Sequence, residues 1–156
     1  MIASFEFGHG ERRYLGFHGW GSEHQRSFSK LLTYLPEDVT FLAQDFPGCG
    51  KSPGLDTWSF DGVNEALARN LDELPPGMKF TFVGSCSGSF HALEVARMRP
   101  ERVEALVLLE PFAFMPWFFS IFLSPITGPA LYKLVFDNPV GKAMTAASLH
   151  RQGVHT

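Results

Sequence analysis

The sequence predicts an α/β fold, a mostly parallel sheet flanked by helices. Short apolar runs alternate with longer stretches whose apolar residues recur at helical spacing, which is the pattern of strands joined by crossover helices. Loops rich in glycine and proline separate them. The 156 residues are 45% apolar and 19% charged, a composition inside the globular range, and a chain of this length can bury roughly 70% of its unfolded surface.

The first clear strand is Tyr14 to Phe17, preceded by a pairing segment at Ile2 to Phe7. A loop from His18 to Arg26 leads to Phe28, Leu31, Leu32 and Leu35, whose spacing lays one apolar stripe on a helix that Pro36 ends. Val39 to Ala43 is the next strand. Gln44 to Thr57 reads as a long loop, after which Val63, Leu67, Leu71 and Leu74 line a helix stopped by Pro75 and Pro76. Phe80 to Val83 is a strand, Gly84 to Ser89 a run of small residues turning into a helix that ends near Pro100, and Val103 to Leu109 an apolar run suited to a strand covered on both faces. The expected order is βαβαβαβ.

Beyond Glu110 the character changes, because Pro111 to Tyr132 holds no Asp, Glu, Lys or Arg and is dense in aromatic and aliphatic residues. A membrane span needs ~20 unbroken apolar residues, and Pro111, Pro116, Pro125, Gly128 and Pro129 interrupt this stretch. It reads instead as a cap with an apolar face to cover, either the mouth of a pocket or another chain, so self-association through it is expected. Residues 1–110 are thus expected to form the core and 111–156 the start of an apolar cap and a tail.

The net charge is -3 with neither sign in a run, which argues against a nucleic-acid partner. Cys49 and Cys86 cannot make a disulfide framework, and the first twenty residues carry no secretory pattern, so a cytoplasmic setting is expected. No metal-ligand cluster or cofactor fingerprint is present, and neither group is expected.

Chemistry concentrates in three loops. In Gly84-Ser85-Cys86-Ser87-Gly88 a nucleophile stands between two glycines where a strand turns into a helix. The residue at such a tip has strained dihedrals, and its flanks must be small because strand and helix approach closely. Cys86 would sit at a helix N-terminus, where aligned peptide dipoles favour an anionic thiolate. Reading the frame one step later would put Ser87 between Ser85 and Ser89, flanks that tolerate the approach less well than glycine. Cys86 could also be a buried small hydrophobe or a redox-sensitive thiol. His18-Gly19-Trp20-Gly21 follows a strand and opens on the same sheet edge, so the amides of Trp20 and Ser87 could meet a developing oxyanion. The third loop, Asp45 to Ser52, ends in Gly-Lys-Ser, but Asp45 stands where a phosphate loop needs glycine.

Taken together and in this order, these three loops closely resemble the α/β-hydrolase superfamily, over residues ~12 to 110 with the aromatic segment as the beginning of a lid. The resemblance implies a partial α/β-hydrolase fold acting on a carboxylic ester, thioester or lactone with a hydrophobic acyl group. It makes Cys86 the nucleophile, as in the dienelactone-hydrolase branch, gives Trp20 and Ser87 the oxyanion amides, and makes Asp45 to Ser52 mainly a structural loop. Glu110, at the end of the last strand, matches the acid position of some members. Members take their base from a histidine after the last strand, and none of the six histidines fills that role. His91 would be rotated about 140° and lifted ~7.5 Å from Cys86 along a helix. His18 belongs to the oxyanion loop, His9 and His24 to polar loops, His150 and His155 to the tail. The chain is therefore expected to stop before the catalytic histidine. A non-catalytic module binding an apolar ligand or partner through residues 111–136 is the competing expectation.

Overall fold

The computed structural model describes residues 1–111, 121 and 124–151. The aromatic stretch at 112–120 and 122–123, His155 and the His150 side chain, on which some of these expectations rest, lie outside what is described. The chain divides into two compact units, Met1–Phe112 and Ala113–Thr156.

The first unit is a five-stranded sheet: β1 (Ser4–Gly8), β2 (Arg12–Phe17), β3 (Val39–Gln44), β4 (Phe80–Ser85) and β5 (Val103–Leu109), in spatial order β1-β3-β2-β4-β5. β1 pairs antiparallel with β3, in register Ser4 to Gln44, and the other pairings are parallel. Three helices connect the parallel strands: α1 (His24–Thr33), α2 (Phe60–Asp72) and α3 (Gly88–Met98). α2 and α3 cover one sheet face, where Leu15, Phe17, Phe82, Leu67, Leu71 and Val95 close the larger core. On the other face Phe28 packs on Phe41, Ala43 and Val83. The two clusters follow from the period-2 alternation of strand side chains, with Phe82 on one face and Val83 on the other.

Two boundaries differ from the sequence reading for physical reasons. α1 begins within the expected loop, because its first amide, His24 N–H, is capped at 2.9 Å by the carboxylate of Asp45, which directly follows the neighbouring strand β3. Glu23, at the N-cap, makes no side-chain cap. α2 begins at Phe60 because the Ser59 hydroxyl accepts from Gly62 N–H at 2.9 Å, a local N-cap.

β5 was expected to be covered on both faces, and it is not. Leu106, Val107 and Leu109 are exposed, because β5 is the sheet edge and α1 lies over β2 and β3. Beside α1 an apolar groove of about 260 Å³ runs along this face, lined among others by Tyr14, Leu35, Phe41, Val83 and Val107.

The second unit contains α4 (Gly128–Tyr132), which runs into a π-helical turn at Lys133–Asp137, and α5 (Pro139–Arg151). A Cβ on Gly141 would lie 2.4 Å from the carbonyl oxygens of Leu134 and Val135, so the start of α5 packs on that turn at a distance only glycine allows. Among the described residues no helix is long and apolar enough to cross a membrane.

Leu67 is fully buried between α2 and the sheet. Leu67→Ala is expected to lower the unfolding free energy by about 2–5 kcal/mol, read from the shift in urea midpoint at unchanged slope.

Candidate active site

β2 lies between β3 and β4. The chain leaving β2 crosses one face through α1, whereas the chain leaving β4 crosses the other through α3. Adjacent strand ends therefore send their loops in opposite directions, which opens the crevice where ligands bind in open α/β sheets. The loop after β2 holds His18 to Trp20, and the turn after β4 holds Cys86.

Cys86 has φ 52°, a left-handed conformation that costs a non-glycine residue roughly 1–2 kcal/mol. Its surroundings impose it. The Cys86 N–H donates to the Leu109 carbonyl at 2.9 Å, and the Cys86 carbonyl accepts from Ser89 N–H at 3.1 Å. A Cβ on Gly84 would lie 2.5 Å from Ser89 Cα, and one on Gly88 would lie 2.1 Å from the Phe17 carbonyl oxygen. Both contacts are with backbone, so both positions require glycine. Ser87 has φ -61° and ψ -27°, ordinary helical values, and Ser89 is buried with its hydroxyl donated to the Gly84 carbonyl at 3.0 Å. The strained tip of the turn is thus Cys86 and not Ser87.

The facing loop comes close. A Cβ on Gly19 would lie 3.3 Å from Cys86 Cβ, so Trp20 follows a residue in contact with the tip. Trp20 is 77% exposed. The backbone N–H groups of Trp20 and Ser87 have no acceptor among the described residues. The loop is held by His18, which is buried. Its Nε2 accepts from Phe46 N–H at 2.9 Å, so its Nδ1 carries the proton and donates to the Gly19 carbonyl at 2.8 Å. Burial pushes the His18 pKa down, which keeps this tautomer neutral.

The Asp45 loop is built around its own carboxylate. Oδ1 accepts from His24 N–H at 2.9 Å and from the His24 ring at 2.8 Å, Oδ2 accepts from Lys51 N–H at 3.0 Å, and the Asp45 carbonyl accepts from the Ser52 hydroxyl at 2.6 Å. Burial acts to raise the Asp45 pKa, but the hydrogen bonds from His24 and Lys51 outweigh it and hold the carboxyl below its ordinary range. A Cβ on Gly50 would strike the same carboxylate. The space that a phosphate loop gives to its ligand is filled here by a side chain.

Glu110 directly follows β5, has φ 53° and is exposed. Among the described residues no histidine nitrogen is hydrogen-bonded to Cys86 or to Glu110. His24 is bound to Asp45, and its ring stacks on Phe5 at 3.8 Å. His91 Nδ1 donates to Asn64 Oδ1 at 2.7 Å, with Phe46 edge-on at 5.0 Å and Phe60 stacked at 4.9 Å. Burial, and secondarily the charge of His18, push the His91 pKa down to about 4. The roles of Asn64, Phe46 and Phe60 were invisible in the sequence, since they are defined by contacts across two loops and a helix pair. Among the described residues no group of three or more His, Cys, Asp or Glu could hold a metal ion.

This architecture has known counterparts. Residues 15–146 match the family model described as alpha/beta hydrolase fold, and the chain belongs to that family. It is 39% identical over 102 residues to the lipase LipV of Mycobacterium tuberculosis, covering 65% of this chain and 38% of that protein. It is 31% identical over 123 residues to a pimeloyl-[acyl-carrier protein] methyl ester esterase of Legionella pneumophila, covering 78% of this chain and 44% of that protein. The chain thus spans under half the length of these curated relatives. Among solved structures, a lipase-esterase related protein from Clostridium acetobutylicum superposes with a TM-score of 0.68 at 22% identity, covering 92% of this chain and 63% of that one.

Two measurements check this geometry. Gly88→Ala is expected to destabilise by about 1–3 kcal/mol through overpacking, measured by urea unfolding. The second concerns pH. Above 6.5, the ordinary value, His91 is neutral in both states and adds no pH dependence. Between 6.5 and about 4 the unfolded chain binds a proton that the folded chain refuses, so stability falls as pH is lowered, and the slope from this residue vanishes below the folded value. His91→Gln is expected to flatten the stability profile in that window.

Proposed function

We propose that this chain carries the acylation half of an ester- or thioester-cleaving site, with Cys86 as nucleophile and the Trp20 and Ser87 amides as oxyanion donors. The observation that carries this reading is the strained φ of Cys86 between two glycines that admit no side chain. A backbone held in an uncommon conformation by its surroundings is a feature of functional sites. Here it sets the thiol at the N-terminus of α3, beside the loop of Gly19 and Trp20. Support for the substrate class comes from relatives named as a lipase and as methyl ester esterases, and lactones fall within the same chemistry. The exposed Trp20, which follows Gly19 on the loop facing Cys86, favours a hydrophobic acyl group.

In the reaction Cys86 gives its thiol proton to solvent and attacks the carbonyl carbon as the thiolate. A C–S bond forms while the carbonyl π pair moves to oxygen, where the Trp20 and Ser87 N–H groups receive the charge. Such preorganised donors are commonly worth a few kcal/mol each. As the oxygen pair re-forms the carbonyl, the bond to the leaving group breaks, the group departs with that bond's electron pair, and an acyl-thioester remains on Cys86. Water must then cleave this thioester, a step that needs a general base. Glu110 is the carboxylate we assign to orient that base. Among the described histidine side chains, His18, His24 and His91 are hydrogen-bonded elsewhere and His9 lies in the β1–β2 turn beside the start of β3, at the sheet end away from Cys86, so an activated leaving group is the appropriate probe of this chain.

Mixing the chain with p-nitrophenyl butyrate is expected to release nitrophenolate in a burst of one equivalent and to add a butyryl group to the Cys86 peptide by mass spectrometry. Cys86→Ala is expected to abolish both. Nitrophenolate release without acylation of Cys86, or a full burst in Cys86→Ala, would refute the assignment.

A further inference from the structure

We propose that His91 and Asn64 form a positioning pair that sets the separation between the two oxyanion amides, of Ser87 on α3 and of Trp20 on the loop after β2. The inference rests on the acylation site described above and concerns residues that touch neither Cys86 nor its substrate.

A closed circuit of contacts carries it. Cys86 leads directly into α3, on which His91 stands. His91 packs nearly perpendicular to Phe46, with ring centroids 5.0 Å apart. Phe46 lies against His18 at 4.3 Å and donates its N–H to His18 Nε2 at 2.9 Å. His18 Nδ1 donates to the Gly19 carbonyl at 2.8 Å, and Gly19 returns to the side chain of Cys86. Within this circuit His91 is a ring on α3 that touches Phe46, the support of the opposite loop. Its orientation is set from α2 by the 2.7 Å bond to Asn64 and by the Phe60 ring stacked on it.

Stability alone does not account for the pair. Asn64 is 1% exposed, and its Nδ2 has no partner among the described residues. Leaving a buried amide group unmade costs about 1–3 kcal/mol, whereas apolar groups of similar shape in place of both partners would be neutral or better. What the polar pair supplies and an apolar pair lacks is direction. A short hydrogen bond fixes the rotation of the imidazole and hence its near-perpendicular packing on Phe46. Burial keeps His91 neutral down to about pH 4, so Nδ1–H remains a donor throughout the range in which an ester assay runs.

The test compares two reactions of the same thiol. Acylation by p-nitrophenyl butyrate passes through an oxyanion, whereas alkylation by iodoacetamide is a direct displacement of iodide that does not. His91→Leu is expected to slow acylation of Cys86 by about tenfold or more, as a small misplacement of reacting groups does, and to leave the alkylation rate of the Cys86 peptide unchanged. Asn64→Ala, which keeps the histidine but removes its acceptor, is expected to do the same, so two independent variants report. His91→Gln, which restores an N–H donor toward Asn64, is expected to recover most of the acylation rate. Acylation at the wild-type rate in folded His91→Leu and Asn64→Ala would overturn the proposal. So would a parallel slowing of acylation and alkylation, which marks a general disturbance of the elbow. Absence of Cys86 acylation in the unmodified chain would refute the acylation reading itself, and that outcome is distinct from a loss confined to the variants.

Discussion

The arrangement depends on a steric constraint at one corner, where the backbone of β4 must pass into α3 beneath the end of β2. Gly84 touches Ser89 across the turn, and Gly88 touches the carbonyls of Phe17 and His18. With these approaches fixed, the chain between them has little choice but to place Cys86 at positive φ. The strain is borne by the surrounding sheet, through the bond from Cys86 N–H to the Leu109 carbonyl and through the core that Phe17, Phe82 and Val95 close below it. Local strain persists only where the rest of the fold over-determines it, and here three parallel strands meet at the corner.

The loops around that corner are held by buried polar groups. Asp45 accepts hydrogen bonds from two backbone amides and one ring nitrogen, and in doing so caps α1, closes the Gly48-to-Ser52 turn and pins His24. His18 joins the loop after β2 to the loop after β3 with both ring nitrogens in use. Each of these groups is nearly or fully buried, and a buried polar atom without a partner is costly. Loop positions are therefore enforced by the penalty of leaving any partner unmade, a stronger restraint than apolar contact and a directional one. The same logic makes Asn64 stand out, because half of its amide pays that penalty.

Much of this was legible in the chain. The strands β2 to β5 and the helices α2 and α3 were visible within a few residues, since alternating and helical apolar spacings reflect burial directly. The Gly-x-Cys-x-Gly turn and the His-Gly loop were legible because steric requirements select glycine at particular offsets from a reactive side chain. Less legible was the start of α1, whose cap is a carboxylate 21 residues away. The covering of β5 was misjudged as well. An apolar run states that a strand has two faces fit for burial, but the neighbours that would bury them are decided elsewhere in space.

By itself, then, the sequence determined the α/β class, the order of its elements and the residue types at the sharp turn, because these follow from periodicity and from the volume of side chains near one another along the chain. Only the tertiary structure decided that Cys86, and not Ser87, bears the strained conformation. It alone brought Gly19 beside the Cβ of Cys86, turned Asp45 inward as an internal anion and engaged His91 with Asn64. Those facts concern distances between segments that the sheet brings together, and no local pattern encodes them.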